Sequence, residues 1–337
     1  MDAPSPRDTG QSSCWQPEAW LQWLNLRFEL RAMEDFVLPP YEGSTLRGML
    51  GHALKRLVCV LDSPRCPGCP LSQTCAYPRL FETLPTHRLP QRGADIPHPY
   101  LLRLDPDAPR HYPAGASYRF GLVLIGRQHD LLPPLIQAFQ QAGRKGLGRG
   151  RARFQLARVW QQTTPGGAWQ EIHSPTRKKL QIIPMQPIAP PQQPRHARIH
   201  LITPLRIKRL GHLLHPQRFR LGDLLWSLRQ RLTLLQQAYG PSHLPNAEAC
   251  IDDGCLDCAS PRQDLTWFDW TRYSNRQKTH MKLGGLMGQI QLPARLDPDC
   301  WKLLWLGQWL HAGKTTSMGL GRYRIEPITS LAHDTNT

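Results

Sequence analysis

No stretch of this 337-residue chain is apolar for long enough to span a bilayer, because Arg, Gln or Pro interrupts its longest apolar runs. The opening residues, Met1 to Ser13, lack the apolar core of a secretion signal. They predict a disordered leader on a cytoplasmic protein with no membrane partner. Three enzyme signatures are also missing: Gly-x-x-x-x-Gly-Lys-Ser/Thr, Gly-x-Ser-x-Gly and His-Glu-x-x-His. Their absence argues against a phosphate-loop hydrolase, an esterase elbow and a zinc protease. Acid is scarce as well. Asp plus Glu number 25 against 42 Lys plus Arg, leaving a net charge of +17. That excess speaks of partners, with nucleic acid first and an anionic membrane surface second.

What is present begins with two glycine turns of one pattern, Gly-x-Gly-Arg-x-Arg-apolar. One runs from Gly148 to Phe154 and the other from Gly319 to Ile325, one in each half. Glycine allows close backbone approach, consecutive N–H groups can cradle an anion, and arginine forks suit phosphate. Both turns precede a strand rather than a helix, so a dinucleotide-binding fold is rejected. Their repetition points to a duplicated domain that handles a phosphate backbone. Gly319, Gly321, Arg322, Arg324 and Lys314 are candidate contacts from the second turn, and Arg149 and Arg151 from the first.

Five prolines between Pro184 and Pro194 mark a semi-rigid connector. The expected domains are a leader at 1–19, a first domain at 20–183 and a linker at 184–194. A second domain follows at 195–330, with a tail at 331–337. In the first domain, Leu21 to Leu30 reads as a strand, and Ser44 as the N-cap of a helix from Thr45 to Val60. Strand, helix and strand are then expected at Tyr118 to Gly126, Leu131 to Ala142 and Arg153 to Gln161. One central strand lacks a clear signal, and its region reads as a loop. The second domain reads as strand Ala197 to Arg206, helix Leu221 to Tyr239, strands near 265–270 and 286–292, helix Pro298 to His311, and a closing strand. The order βαββαβ in both halves predicts an α+β protein of two tandem ferredoxin-like domains.

On the first helix, Leu46, Leu50, Ala53 and Leu57 share a core face, while His52 and Lys55 fall on the other side. Histidine suits proton transfer to or from a ribose hydroxyl, and lysine can steady a phosphate in reaction. Tyr41, just before the helix, could fold back over it. An ordinary solvated face is the plainer reading of the same residues. His311 is the competing histidine, although capping of a helix C-terminus is the better explanation of it. The run Arg272, Tyr273, Arg276, Lys278, downstream of Trp267 and Trp270, suits unpaired RNA, whose bases stack on aromatic rings. A polar hairpin loop is the alternative.

Cys59, Cys66, Cys69 and Cys75 lie in a short insertion (59–75) with a Cys-Pro-Gly-Cys knuckle at its centre. A structural zinc is the first expectation, with an iron–sulfur cluster or reduced thiols as alternatives. Cys250, Cys255 and Cys258 offer a second set that would need a fourth ligand, such as His243 or an aspartate.

Several segments together resemble a known family. They are Pro39-Pro40-Tyr41-Glu42-Gly43-Ser44-Thr45-Leu46-Arg47-Gly48 followed by Gly51-His52-Ala53-Leu54, and Cys66 to Cys75 running into Tyr77 and Phe81-Glu82. Thr203-Pro204-Leu205-Arg206, Arg272 to Gln277, Lys282-Leu283-Gly284-Gly285 and His311 to Arg324 follow in order. The chain from about Trp20 to Ile328 resembles the CRISPR-associated endoribonucleases of the RAMP superfamily that process precursor crRNA, in a branch with a Cys-rich insertion. The resemblance implies a glycine-rich loop that grips CRISPR repeat RNA. It also implies metal-independent cleavage by the 2′-hydroxyl, leaving 2′,3′-cyclic phosphate and 5′-hydroxyl ends. His52, with Tyr41 and Lys55, then occupies the acid/base position. Two rivals are a non-catalytic RNA-binding subunit, partnered with other CRISPR effector proteins, and a zinc-stabilised interaction module.

Overall fold

The computed structural model describes residues 15–61, 66–82, 96–148, 150–177, 179–185, 189–274 and 279–328; the side chains of Cys255 and of 271–282 lie outside that description. The first half contains strand β1 (Trp23–Ala32), helix α1 (Glu42–Val58), strands β2 (Tyr100–Arg103) and β3 (Ser117–Ile125), helix α2 (Leu132–Lys145), and strands β4 (Phe154–Gln162) and β5 (Trp169–His173). These strands form one antiparallel sheet in the order β2-β3-β1-β4-β5. The second half contains β6 (Ala197–Leu205), α3 (Leu221–Tyr239), β7 (Gln263–Phe268), β8 (Gly285–Gln291), α4 (Pro298–Leu310) and β9 (Tyr323–Pro327). Their sheet runs β7-β8-β6-β9, again antiparallel throughout. Both halves are therefore ferredoxin-like, and the first carries β5 as an added edge strand.

The unplaced central strand is β2. Tyr100, Leu101 and Leu102 are all buried, so the strand reads as a continuous apolar run without alternation. Helix α1 starts earlier than its sequence predicts. Tyr41 is the N-cap after Pro39-Pro40, and Ser44 lies inside the first turn, where it cannot cap. Leu46, Leu50, Ala53 and Leu54 face the core, and α1 packs on α2. A Cβ at Gly51 would meet the Phe81 ring of a short helix, Ala76–Phe81, whereas one at Gly48 would enter open space among the described residues.

The first sheet buries both faces. Leu24, Leu26, Phe28 and Leu30 join the core beneath α1 and α2. Trp23, Leu101, Val123 and Ile125 instead join the core of the second half, beside Ile199, Leu201, Leu228 and Leu304. Loops from both halves thus meet at a fixed seam, where the candidate site lies. Among the described residues, no helix is long and apolar enough to cross a membrane.

Candidate nucleic-acid interface

The glycine-rich loop between α4 and β9 is built against both domains. Positive φ angles occur at His311 (57°), Gly313 (75°), Thr315 (69°), Gly319 (94°) and Gly321 (74°). A Cβ at Gly313 would lie 2.3 Å from the Arg206 carbonyl oxygen, and one at Gly321 would lie 1.8 Å from that of Ala312. Glycine is required there by packing as well as by φ. The Gly319 N–H donates to the Thr316 carbonyl and the Gly321 N–H to the Pro204 carbonyl. Both glycines are buried. The expected anion cradle at Gly319 and Gly321 is therefore corrected, since their donors are committed within the protein.

The open face of the loop is its earlier part, Gly313 to Met318. It walls a cavity of about 770 Å³ with Arg47 from α1, the Ile96–His98 loop, Arg206, Lys208, and Trp226 to Leu234 of α3. Among the described residues the lining includes five cations, Arg47, Arg206, Lys208, Arg231 and Lys314, and no carboxylate. Several cations are anchored to carbonyls rather than acids. The Arg231 Nε donates to the Leu310 carbonyl at 2.9 Å, and Arg206 donates to the Gly284 carbonyl. Burial lowers Arg231 to about 10, still charged at neutral pH. The Arg47 Nε and Arg231 Nη2 are buried with no hydrogen-bond partner among the described residues. Such a site favours an anion with several oxygens, as a phosphate has.

His98 is the one histidine among the described residues of this lining. Its Nε2 lies 3.3 Å from the Arg47 Nη2. Burial, then Arg47, then Arg231 lower the imidazole to about 4, against a smaller opposing effect of the Leu80 backbone. It is neutral near pH 7. A guanidinium has no acceptor, so Arg47 donates and His98 Nε2 carries the lone pair.

A second cavity, about 710 Å³, lies against the sheets and is lined by Arg27, Arg103, Arg119, Arg322 and Arg324, with Trp169, Asp105 and Asp107 among the rest. The Arg27 guanidinium sits 4.0 Å from the Trp169 ring centroid. Burial is the main cause that lowers Arg103, to about 9, and its Nη1 donates to Asn25 Oδ1 at 3.3 Å.

The sequence candidates divide among these places. Lys314 lines the first cavity. Arg322 and Arg324 line the second, where Arg322 donates to the Leu104 carbonyl at 2.6 Å and Arg324 pairs with Glu326. His52 is exposed on α1 and lines neither cavity. It stands five residues beyond Arg47, about 140° around the helix. Tyr41 is buried and does not reach His52, which lies eleven residues on, about 16 Å along the axis. Tyr41 donates to the Met318 carbonyl at 2.6 Å and stacks on Trp270 with centroids 4.6 Å apart. It fastens α1 to the glycine-rich loop. Lys55 sits over the Tyr77 ring at 5.4 Å.

His311 is fully buried, with Nδ1 3.1 Å from the Leu320 carbonyl oxygen. Burial first, then Arg103, Arg322 and Arg231, keep it neutral. It lines neither cavity, and its burial leaves it no access to substrate. Arg151 is an exposed residue of the first glycine turn, and neither cavity includes it. Arg149, Arg276 and Lys278 lie outside the described residues, as do the side chains of Arg272 and Tyr273 on a short strand, Thr271–Ser274.

Cys59, Cys66, Cys69 and Cys75 are free and half-buried. The knuckle turn is formed, with the Cys69 N–H on the Cys66 carbonyl and Gly68 at φ 84°. Burial raises Cys66, with Cys75 and Cys59 adding to the effect. Even so, among the described residues no three His, Cys, Asp or Glu side chains converge as metal ligands. Cys250 is disulfide-bonded, so it supplies no thiolate to a second site.

Arg47 and His98 were not among the candidates from sequence. His98 sits in a Pro-His-Pro loop with no periodicity, and Arg47 passes for part of a helix motif.

A two-domain ferredoxin-like protein with a cationic seam is the class that fold and site define. Residues 21–185 match a family model described as an N-terminal domain, and residues 199–323 match the CRISPR-associated endoribonuclease Cas6. The second half of the chain is thus similar to the Cas6 family of CRISPR-associated proteins. The chain is 21% identical over 292 residues to an uncharacterised protein of Archaeoglobus fulgidus, covering 86% of this chain and 93% of that one. A Thermus thermophilus Cas6 in a product complex superposes with a TM-score of 0.51 at 18% identity, over 91% of this chain and 99% of the other. A chain of a partial Cas6-RT-Cas1–Cas2 complex gives 0.54 at 14% identity over 93% of this chain. This protein spans only 47% of that longer chain.

Proposed function

We propose that this protein binds CRISPR repeat RNA across the domain seam and cleaves precursor crRNA within the repeat. The 2′-hydroxyl beside the scissile phosphate attacks in line. The O2′–P bond forms as the P–O5′ bond breaks, leaving 2′,3′-cyclic phosphate and 5′-hydroxyl ends. Because the nucleophile belongs to the RNA, the protein has to hold the phosphate and move protons. One observation carries this reading: among the described residues five cations and no carboxylate line a cavity between α1 and the glycine-rich loop, in a chain with a Cas6 match. The exposed His52 is the proton-transfer group in this scheme, with Lys55 one turn away.

The arginines of the second cavity, and Trp169, extend the path for an unpaired strand. Other CRISPR proteins are proposed partners, since one similar chain comes from a Cas6-RT-Cas1–Cas2 complex. The test is incubation with labelled cognate repeat RNA in EDTA, followed by identification of the product ends. Cyclic-phosphate ends support the scheme. A His52→Ala protein that cuts at the wild-type single-turnover rate removes His52 from it.

A second reading, an RNA-binding subunit without cleavage, is favoured by the position of His52 outside both cavities. Tight repeat binding with intact RNA after long incubation would decide for it.

A further inference from the structure

We propose that His98 is a positioning residue, a neutral imidazole that aims Arg47 at an RNA backbone phosphate without neutralising it. The inference deepens the RNA-binding reading and rests on it. The geometry begins with the acceptor. The Arg47 Nη2 lies 3.3 Å from His98 Nε2, and Arg47 also sits over the Phe81 ring at 5.4 Å. His98 and Phe81 therefore orient the guanidinium, and neither carries negative charge. A carboxylate is the usual partner of a buried arginine, and it would both orient and neutralise the cation. Here the acceptor orients only. The charge of Arg47 stays available to the cavity it lines with Arg206, Lys208, Arg231 and Lys314.

Packed groups keep the imidazole in that role. His98 faces Arg47 from α1 and Arg231 from α3, and burial acts in the same direction as both. The Leu80 backbone is the one opposing influence. A neutral ring is thus the stable form, with its lone pair on the nitrogen toward Arg47. Its ring also tilts against Tyr100 at 5.8 Å, which ties the imidazole to the buried strand β2. The support is rigid, as a group that aims another must be.

An isosteric pair of variants tests charge apart from shape. His98→Gln retains an acceptor and no charge, whereas His98→Glu places a carboxylate beside Arg47. Binding of labelled repeat RNA is measured for wild type and both variants, with thermal melts on each. The expected result is a loss of no more than about threefold for H98Q and about tenfold or more for H98E, the size of one strong charged contact. The salt slope of log K should fall by about 0.7 in H98E, the equivalent of one phosphate contact on a single strand. Should H98E melt early, an Arg47→Lys, His98→Leu cycle replaces it. Coupling between the two positions is expected, and additive losses would overturn the proposal. Equal affinities for H98Q and H98E would overturn it alone. Wild-type protein that does not prefer repeat RNA over random RNA would overturn the RNA reading, and this inference with it.

Discussion

Thr203 joins two parts of the glycine-rich loop through one hydroxyl. Its Oγ1 donates to the Gly319 carbonyl at 2.8 Å and accepts the Arg322 N–H at 2.9 Å. The residue is buried, so water cannot replace either bond. Thr203→Val keeps the shape and leaves both backbone groups unpaired. About 2 kcal/mol or more of stability should be lost, since each unpaired buried group costs about 1–3 kcal/mol. Urea unfolding would measure it, and a loss below about 0.5 kcal/mol would show that the loop finds other partners. Gly43 makes the complementary point about space. A Cβ there would stand 2.0 Å from the Met318 carbonyl oxygen, so Gly43→Ala must push α1 away from the loop. Weaker repeat-RNA binding is expected together with a lowered melting temperature, because α1 and the loop form two walls of the same cavity.

At the scale of elements, the start of α1 sets burial against the helix dipole. Glu42 lies in the first turn, where the dipole favours a carboxylate. Burial and the nearby Asp105 nevertheless raise it to about 7, with Tyr118 opposing. Since dipole effects are typically 0.3–1 kcal/mol, desolvation wins. A carboxyl raised in the folded state holds its proton after the unfolded chain has released it. Stability from this group is therefore full below about pH 4 and declines as pH rises toward about 7. The decline should be roughly 3 kcal/mol, from a rise of about 2.5 pH units. Glu42→Gln should flatten it, and parallel pH–stability curves for the two proteins would refute the assignment.

The Cys insertion yields a chemical prediction at the same scale. Cys59, Cys66, Cys69 and Cys75 are free and half-buried, whereas Cys300 is fully buried. Native protein should react with a thiol reagent at the four insertion cysteines while Cys300 waits for denaturant. Protection of all four, lost on chelation, would show that a metal gathers them. These two elements also show what sequence can carry. Strands such as β3 and helix α3 were legible because one face of each alternates or repeats against a core. β2 was not, because a strand buried on both sides has no period to read. Gly319 and Gly321 gave a true turn signal and a false ligand signal, because tight packing and anion binding select the same residue. The cavity itself draws Arg47, His98, Arg231 and Lys314 from distant segments, and no local pattern joins them.

For the whole molecule, the decisive fact is a core that ignores the division into halves. Trp23, Leu101, Val123 and Ile125 belong to the first sheet yet are buried with Leu201, Leu228 and Leu304 of the second half. Burial of one large apolar side chain is worth about 1.5–3 kcal/mol, so four such residues contribute roughly 6–12 kcal/mol as an upper estimate. A whole domain is stable by only about 5–15 kcal/mol. Separation of the halves would therefore remove a share comparable to the total. The Arg322 bond to the Leu104 carbonyl and the Tyr41 bond to the Met318 carbonyl add polar ties across the same seam. Two consequences follow. The intact protein should unfold in one calorimetric transition, and a chain of residues 195–337 alone should show no cooperative melt. Two resolved transitions, or a well-folded second half, would mean that the seam is a contact between independent domains. In that case the cation cavity would open and close with domain motion. If the seam is a core, the cavity is fixed before RNA arrives, and its cations bind without the entropy cost of assembling the site.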